Sequence, residues 1–332
     1  MRPFLAPAAK GEPEAAVQPS FSVAIAAYQA EAIVGDAIES ALAQTVPAVE
    51  VIVCDDGSTD GTGAAIERFG SRVTHIRKEN GGEASAKNAA ARAARGDFVV
   101  FLDADDLFEP ERLAALGELA AHRPDLDILT TDALLELDGR VARRCYDASF
   151  PFEVDDQRRA ILERNFLFGL AAVRRSRLRE AGGFDEEIPY ATDWDLWLRL
   201  IMSGARAGMV DEPLARYRIS GGLSSHRARL FEGRARVIAK ALEREHLEPH
   251  ERRAAEHALA EQRKRAALEG AREALVERRP DARRRSLDVA LGPGHTLPSR
   301  LKALVSAAAP GLAGRRLADR PRETTAGLLL PD

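Results

Sequence analysis

The first third of the chain alternates between short, continuous apolar runs and segments in which apolar positions recur with helical spacing. The apolar runs are FSVAIAAY (21–28), VEVIVCDD (49–56), RVTHIRK (72–78) and DFVVFL (97–102). Runs of this length are typical of strands that are buried on both faces. Between them, apolar residues recur at i, i+3 and i+4, as in a helix with one buried side. This alternation predicts a mostly parallel sheet covered by helices.

Several residues indicate where these helices begin and end. Ser58 or Asp60 can cap the helix that follows the second strand. Gly96 is expected just after the Ala-rich helix 83–95, in the left-handed conformation that suits glycine. Pro110 is expected in the first turn of the next helix, where no backbone N–H is required.

Beyond residue 124 the pattern changes. The segment 126–144 predicts a strand and a hairpin whose turn is Asp138-Gly139. Helices are predicted for residues 174–181 and 192–204, and two short strands, RAGMVD and LARYRI, for residues 206–219. The predicted domains are a disordered leader (1–20), an α/β domain (21–226), a helical extension (227–295) and a basic, weakly amphipathic tail (296–332).

Composition and charge narrow the possible functions. The chain is 45% apolar and 30% charged, and two cysteines are too few for a disulfide framework. Every apolar run is far shorter than a membrane-spanning helix requires, so no transmembrane helix is predicted. The net charge of −4 hides an asymmetry, because residues 251–320 hold 16 Lys and Arg against 9 Asp and Glu. An acidic main domain argues against general nucleic-acid binding.

Aspartates follow two of the predicted strands at the point where each strand ends. They are Asp55 and Asp56 after the second strand, and Asp103, Asp105 and Asp106 after the fourth. In parallel sheets, ligands bind beyond the carboxyl ends of the strands. Two charges about 4 Å apart repel by about 4 kcal/mol near a protein surface, so either a cation lies here or the side chains splay into water. Mg²⁺ or Mn²⁺, held by one or two carboxylates and a diphosphate, fits this pattern.

Three longer segments resemble, in the right order, the motifs of the family 2 glycosyltransferases. They are SVAIAAYQAEAIVGDAIESALAQTVPAVEVIVCDDGSTDGT, NGGEASAKNAAARAARGDFVVFLDADDLFEPERL and GGFDEEIPYATDWDLWLRL. The resemblance covers roughly residues 21–222 and leaves out the tail. It implies an α/β, GT-A-like nucleotide-binding fold with a mostly parallel sheet flanked by helices, followed here by a helical C-terminal extension.

The resemblance also implies roles for particular residues. Asp193 would be the catalytic base, and Asp105 the direct ligand of Mg²⁺ or Mn²⁺, with Asp103 nearer the ribose or the metal's waters. The residues implied to bind the nucleotide-sugar are Ala26, Tyr28, Asp55, Asp56, Lys87 and Asp103. Trp194 and Trp197 either stack on an acceptor sugar or pack in the core.

Asp193 also has a physical argument of its own. The N-terminus of a helix stabilises the anionic form of a carboxylate. Partial burial beside tryptophans would oppose this effect and raise its proton affinity toward values useful for a base.

This sequence departs from the family in two places. The family's Glu-Asp pair is Thr192-Asp193 here, which keeps the base but changes its surroundings. The family often has a His shortly after Tyr-Arg, whereas this chain has Ser220 there and His226 six residues later. The loop that closes on the donor phosphates is therefore expected to differ.

The resemblance implies a metal-dependent, inverting hexosyltransferase in cell-surface polysaccharide or glycoconjugate synthesis. The donor would be a nucleotide-diphosphate sugar, a UDP-sugar first, and the acceptor a saccharide or a lipid-linked molecule. The expected location is the cytoplasm or the inner face of the membrane.

Three alternatives stay open. A phosphohydrolase of the D-x-D type would have Thr or Val in place of Leu107 and its nucleophile on the first strand. A nucleotidyltransferase would need a glycine-rich basic loop, unlike IAAYQAEA (25–32). A carbohydrate-binding relative would keep the fold without the chemistry.

The basic tail fits two interpretations. As a helical bundle packed on the catalytic domain it needs no partner, and this interpretation is favoured. As a peripheral membrane contact, its Arg and Lys residues would attract anionic lipid while Leu301, Leu304, Val305 and Leu312 enter the interface.

Overall fold

The computed structural model describes residues 18–137, 139–219, 227–292 and 294–318. The chain divides into two compact units, the first comprising Met1–Ile161 and Asn165–Ser220 and the second Leu162–Arg164 and Gly221–Asp332. No described helix is both long enough and apolar enough to cross a membrane. Most of the predicted leader, and the end of the predicted tail from position 319 to position 332, lie outside the described residues.

The first unit contains one sheet. Its described strands are β1 (Phe21–Ala27), β2 (Glu50–Asp55), β3 (Thr74–Arg77), β4 (Phe98–Asp103), β5 (Leu107–Phe108), β6 (Ile128–Leu137), β7 (Arg140–Arg144), β8 (Ala172–Arg174) and β9 (Ala207–Ile219). Their order is β3-β2-β1-β4-β8-β6-β9-β5, and β7 pairs with β6. Strand β1 pairs in parallel with both β2 and β4, and β2 with β3. The side chains of β1, β2 and β4 are almost all buried, which explains their continuous apolar runs.

Seven described helices belong to the same part of the chain. They are α1 (Val34–Leu42), α2 (Thr62–Glu67), α3 (Glu83–Ala93), α4 (Arg112–His122), α5 (Gln157–Glu163), α6 (Arg175–Glu180) and α7 (Thr192–Met202). Helix α3 packs against β1 and β2, and α4 against β6 and β9. The N-cap of α2 is Gly61 and not Ser58 or Asp60, although the Asp60 carboxylate accepts the Thr62 N–H at 3.0 Å from the position before the N-cap. Ser58 instead accepts the N–H of Gln29.

Two predicted helix signals have a different role in the structure. Gly96 lies three residues beyond the end of α3 and has no positive φ. A Cβ at this position would stand 2.7 Å from the Ser22 backbone nitrogen, so glycine serves the close approach to β1. Pro110 precedes the N-cap Glu111 instead of occupying the first turn of α4.

The second half of the sheet differs from its prediction in one strand. The hairpin of β6 and β7 forms as predicted, with Leu137 opposite Arg140 and Gly139 at φ +74°, while Asp138 lies outside the described residues. The two short strands predicted within 206–219 are one strand, β9. Register shifts on both sides of Asp132 accommodate the irregular centre of β9, so its pairing with β6 continues across both predicted strands.

The second unit is helical in its described part, as predicted. Its helices are α8 (Arg227–Arg244), α9 (Pro249–Val276), α10 (Ala282–Leu291), α11 (Leu297–Ala308) and α12 (Pro310–Ala318). A capping box between Glu248 and Glu251 begins α9. One of its small cores joins Ala271, Val289, Ala290 and Ala303 from α9, α10 and α11, and the partly buried Leu268 packs against it.

Candidate functional site

The acids predicted at the strand ends lie on one edge of the sheet. Asp55 ends β2 opposite Ala27, and Asp103 ends β4 opposite Ala26, with β1 between them. Because neighbouring strands are about 4.8 Å apart, the two acidic strand ends lie on the order of 10 Å from each other. The parallel sheet thus brings together two acidic pairs that are well separated in the chain.

Asp56 is held by the segment that leads into α3. Its carboxylate accepts hydrogen bonds from Lys78 Nζ at 2.7 Å, from the Gly81 N–H at 3.1 Å and from the Gly82 N–H at 2.7 Å. Asp55 lies beside it, fully buried, and accepts the Ser58 N–H at 2.9 Å. Its Oδ2 lies 3.6 Å from Arg77 Nε and has no hydrogen-bond partner among the described residues. These contacts fix the loop that follows β2 at the same edge.

Lys87 connects α3 to the end of β4. Its side chain is buried, and Nζ lies 2.6 Å from Glu83 Oε1 and 2.7 Å from Asp103 Oδ1. Burial opposes the charge of Lys87, but the two carboxylates raise its pKa above the ordinary value. The Lys87 charge lowers the pKa of Glu83, so both groups stay ionised. The predicted basic residue therefore holds the Asp103 carboxylate at the end of β4.

Asp105 and Asp106, which come directly after β4 in the chain, are largely shielded from water. Burial, and then the negative charge of Asp103, raise the pKa of Asp105 to about 6. The Asp106 carboxylate accepts the Arg218 N–H at 2.8 Å, and burial raises its pKa well above the ordinary value. Arg218 Nε also donates to the Asp105 carbonyl, which ties β9 to the acidic loop. Carboxylates whose pKa values are raised in this way are suited to a bound cation.

Asp103 and Asp193 face a common space above Gly169. A Cβ placed on Gly169 would stand 3.6 Å from Asp103 Oδ2 and 3.8 Å from Asp193 Oδ2. Both oxygens therefore lie within van der Waals contact of the same methyl-sized position. The D-x-D motif and the predicted base therefore border the same position above Gly169, which we call the hollow above Gly169.

Asp193 is positioned by the start of α7 and by the loop before β8. The N-cap Ala191 has a left-handed backbone with φ +60°, which places Asp193 in the first turn of the helix. Its Oδ1 accepts the Trp194 N–H at 2.7 Å, and its Oδ2 accepts Asn165 Nδ2 at 3.0 Å. Burial raises the pKa of Asp193 above the ordinary value, although the nearby Lys87 charge opposes this.

Glu83 lies next to the residue that replaces the family's expected glutamate. The Thr192 hydroxyl donates to Glu83 Oε1 at 3.4 Å, and the charge of Glu83 contributes to the raised pKa of Asp193. A carboxylate from α3 thus stands beside Asp193 where Thr192 supplies none.

Tyr217 of β9 lies among the same acids. Burial, followed by the charges of Asp106, Asp103, Asp193 and Asp105, raises the pKa of its hydroxyl well above the ordinary value. Since all four carboxylates act on one phenol, the strand ends and the start of α7 form one electrostatic environment.

The structure selects one of the two roles predicted for the tryptophans, and two other predicted positions lie outside the described residues. Trp194 and Trp197 are 1% and 0% exposed, and Trp194 Nε1 donates to the Ile161 carbonyl at 2.7 Å. Both indoles therefore belong to the core and cannot stack on an acceptor sugar, because the inner side of α7 carries them. Ser220 and His226 lie outside the described residues.

At the other side of the edge, Ala26 is partly buried and Tyr28 is 53% exposed. Both residues lie beside the end of β1, where the pocket was predicted. Within the described ranges, no three or more His, Cys, Asp or Glu side chains form a group that could hold a metal by themselves.

Three residues of the site were not predicted. Glu83 could have been found from its i, i+4 spacing to Lys87, which is typical of a helical ion pair. Asn165 and Gly169 lie in an irregular loop and carry no motif, so only the folded structure shows their position beside Asp193.

Comparison with known proteins gives the context of this geometry. Residues 22–182 match the family model described as glycosyl transferase family 2. The chain is 34% identical over 187 residues to a chondroitin synthase of Pasteurella multocida, an alignment that covers 55% of this chain and 19% of that protein. The chain thus spans about a fifth of the length of this curated relative.

Two solved structures share the fold. One is S. aureus TarS 1–349 in complex with UDP-GlcNAc, with a TM-score of 0.59, 22% identity and coverage of 90% of both chains. The other is the mannosyltransferase PcManGT from Pyrobaculum calidifontis with GDP-Man and Mn²⁺, with a TM-score of 0.56, 20% identity and coverage of 91% of this chain and 85% of that chain. The predicted GT-A-like architecture is confirmed.

Proposed function

Since this chain belongs to the family 2 glycosyltransferases, we propose that it transfers a sugar from a nucleoside-diphosphate donor to an acceptor hydroxyl, with inversion at the anomeric carbon. The observation that carries this proposal is the hollow above Gly169, bordered by Asp103 and Asp193. An inverting transfer needs a base on the acceptor side and a stabilised leaving group on the donor side. Two carboxylates that border the same position can supply one group for each.

Asp193 acts as the base in this proposal. Its carboxylate accepts the proton of the acceptor hydroxyl as that oxygen attacks the anomeric carbon. Asn165 and the Trp194 N–H hold the two carboxylate oxygens in fixed positions. The raised pKa makes the Asp193 carboxylate a stronger proton acceptor than that of an exposed aspartate.

The donor occupies the edge that runs from Asp55 to Asp103. Asp55 and Asp56 border the nucleotide, with Ala26 and Tyr28 beside them at the end of β1. The two structural neighbours contain UDP-GlcNAc and GDP-Man, which supports a nucleotide-sugar donor. We assign a UDP-sugar as the first donor to test and a GDP-sugar as the second.

The acidic residues fit a divalent cation that is completed by the donor. Asp105 has a pKa raised to about 6, and Asp103 keeps Oδ2 toward the hollow while Oδ1 pairs with Lys87. One or two carboxylates plus phosphate oxygens are the ligands that Mg²⁺ and Mn²⁺ accept. When bound, such an ion stabilises the negative charge of the departing diphosphate.

The acceptor is proposed to be a saccharide or a lipid-linked saccharide. The chondroitin synthase relative supports a role in polysaccharide synthesis. Neither the sugar nor the linkage follows from the acidic edge, because the loops that surround it select them.

The proposal is tested by a panel of nucleotide-sugars and simple phosphoesters. We expect one nucleotide-sugar to be hydrolysed slowly without an acceptor, in the presence of Mn²⁺ and not of EDTA. Asp105→Ala should reduce this hydrolysis by about 10² or more, because it removes a group that stabilises the leaving charge. The matched control is Asp125→Ala, which removes an exposed aspartate paired with Arg123. Phosphate release from simple phosphoesters, with every nucleotide-sugar left intact, would support the phosphohydrolase instead.

The pH dependence of the transfer rate gives a second test. Asp193 must be ionised to accept a proton, and burial raises its pKa, so the rate should fall as the pH decreases through that raised value. The fall should begin at a higher pH than the ordinary aspartate pKa of about 3.9 would give. Asn165→Ala removes a hydrogen bond to the anion and should move this limb to still higher pH. An identical acid limb in the Asn165→Ala variant and the unmodified protein would contradict the assignment.

A further inference from the structure

Large apolar side chains are exposed mainly at one place in the second unit. Of the eleven exposed large apolar residues described, six lie between residues 291 and 312. They are Leu291, Leu297, Leu301, Leu304, Val305 and Leu312. A concentration of exposed apolar side chains in a short segment is typical of a surface that binds a protein or a membrane.

Helix α11 has its large and small side chains on opposite sides. Leu297, Leu301, Leu304 and Val305 follow the i, i+4, i+7, i+8 spacing of one helix face, and all four are exposed. The buried residues of the same helix are Ala303 and Ala307. A helix that only needed to pack on the bundle would bury its leucines and expose its alanines. Helix α11 does the reverse.

The charges of this segment all have one sign. Residues 291–318 contain no Asp or Glu. Their four Lys and Arg residues are Arg300, Lys302, Arg315 and Arg316. With about 100° between successive residues, Arg300 and Lys302 fall on opposite sides of the apolar face of α11. Arg300 Nε donates to the Ala290 carbonyl at 2.7 Å, which anchors α11 to the end of α10. The segment therefore presents an apolar stripe bordered by positive charge.

We propose that α11 and α12 bind the surface of an anionic lipid bilayer, with the exposed face of α11 lying in the interface. An apolar face flanked by basic residues matches the acyl boundary and the negative headgroups together. A second copy of the chain fits less well, because it would bring two positively charged, acid-free segments together. With 12 residues, α11 is too short to cross the hydrocarbon core, which needs about 20. This inference does not depend on the proposed transferase activity.

The test is co-sedimentation of the full chain with vesicles. We expect binding to phosphatidylcholine vesicles that contain phosphatidylglycerol, and weak binding to phosphatidylcholine alone. The double variant Leu301→Ser/Val305→Ser should bind at least about tenfold more weakly, since it removes two exposed apolar side chains that would enter the lipid interface. Both side chains are more than half exposed, at 54% and 69%, so the fold should be kept. The matched control is Val154→Ser, which removes a 65% exposed valine between acidic residues and should bind as the unmodified protein does.

A second set of variants tests the charges. Lys302→Glu/Arg315→Glu/Arg316→Glu should weaken binding most at low salt, whereas Arg252→Glu/Arg253→Glu on the exposed side of α9 should change it much less. Hydrolysis of the donor in the absence of vesicles reports the transferase separately, so loss of one property does not imply loss of the other.

Three results would overturn the inference. The first is equal vesicle binding by Leu301→Ser/Val305→Ser and the unmodified chain. The second is vesicle binding that appears only after residues 319–332 are deleted, which would mean that the chain's own end covers the stripe. The third is a dimer in solution that the same double variant dissociates, which would assign the stripe to a contact between copies.

Discussion

We expect Asp193→Asn to lower the rate of sugar transfer by about 10²–10⁴ while the affinity for the donor stays within a few fold. Asp193 is the carboxylate that borders the hollow opposite Asp103, and its proposed role concerns the acceptor proton alone. Removing it should therefore reduce kcat and leave the donor KM nearly unchanged. Initial rates at saturating acceptor, with the donor concentration varied, measure both constants.

Asparagine is the sharpest replacement because it keeps the shape of the side chain. The Asp193 carboxylate now accepts two hydrogen bonds, from the Trp194 N–H and from Asn165 Nδ2. The asparagine amide can accept only through its oxygen, so one of these donors loses its partner, at a cost of about 1–3 kcal/mol if it stays buried. Thermal unfolding of the variant separates this structural cost from the loss of the base.

Asp195→Asn is the matched control for Asp193→Asn. Asp195 lies on the same helix, is buried, and pairs with Arg199 at 2.7 Å. Its replacement should lower stability while kcat changes only a few fold, because Asp195 does not border the hollow. If Asp193→Asn retained near-normal transfer, or if both variants lost the same activity, Asp193 would not be the base.

The parallel half of the sheet could be predicted because its strands are buried on both faces. A strand such as β1 or β4 has no exposed side, so its sequence is a continuous apolar run bounded by turn residues. The same argument placed Asp55 and Asp103 on one edge, since parallel strands end on the same side. The parallel topology of the sheet is therefore sufficient to bring these two aspartates to the same edge.

The hydrophobic pattern predicted less where the local sequence differs from what the whole fold requires. Strand β9 contains Asp211, Glu212 and Pro213, which interrupt its apolar spacing, and it pairs with β6 on both sides of this interruption. For Trp194 and Trp197, helical spacing shows that a side is apolar but not whether that side meets a core or a ligand. Both tryptophans proved to be core residues.

The residues that orient the site could not be predicted from spacing. Asn165 reaches Asp193 from a loop 28 residues earlier, and the Thr192 hydroxyl reaches Glu83 across 109 residues. Contacts of this kind depend on where irregular segments lie in the folded chain. The spacing of apolar residues along the sequence does not predict them. A motif therefore identifies the reacting groups more readily than the residues that orient them.

Lys87 is the residue whose loss should affect stability most among the charged groups of the site. Lys87→Met keeps the length of the side chain and removes the charge between Glu83 and Asp103. Breaking a fully buried ion pair from one side costs about 3–5 kcal/mol. Because the Glu83 and Asp103 side chains retain 32% and 29% exposure, we expect a smaller loss, about 2 kcal/mol of the free energy of unfolding at pH 7.

The sign of the pH dependence distinguishes this effect from a packing defect. Lys87 now lowers the pKa of Glu83 and opposes the rise in the pKa of Asp103 that burial causes. Without Lys87 both pKa values should rise, so at low pH the native state of the variant binds more protons than that of the unmodified protein. The variant should therefore regain stability relative to the unmodified protein as the pH falls. The deficit of Lys87→Met should therefore shrink as the pH is lowered toward the carboxyl range. A deficit that stays constant with pH would assign the effect to packing.

Denaturant unfolding of three variants completes the test. In Lys87→Met/Glu83→Gln one of the two repelling charges is absent, so about 1 kcal/mol of stability should return relative to Lys87→Met alone. The same substitution at Lys264, which pairs with Glu261 in an i, i+3 arrangement on α9 and is partly exposed, should change stability by no more than about 0.5 kcal/mol. Equal losses at Lys87 and Lys264 would mean that the Glu83–Lys87–Asp103 cluster does not hold the acidic edge together. Since Asp103 borders the hollow that it shares with Asp193, a real loss at Lys87 should also lower donor hydrolysis, which Lys264→Met should leave unchanged.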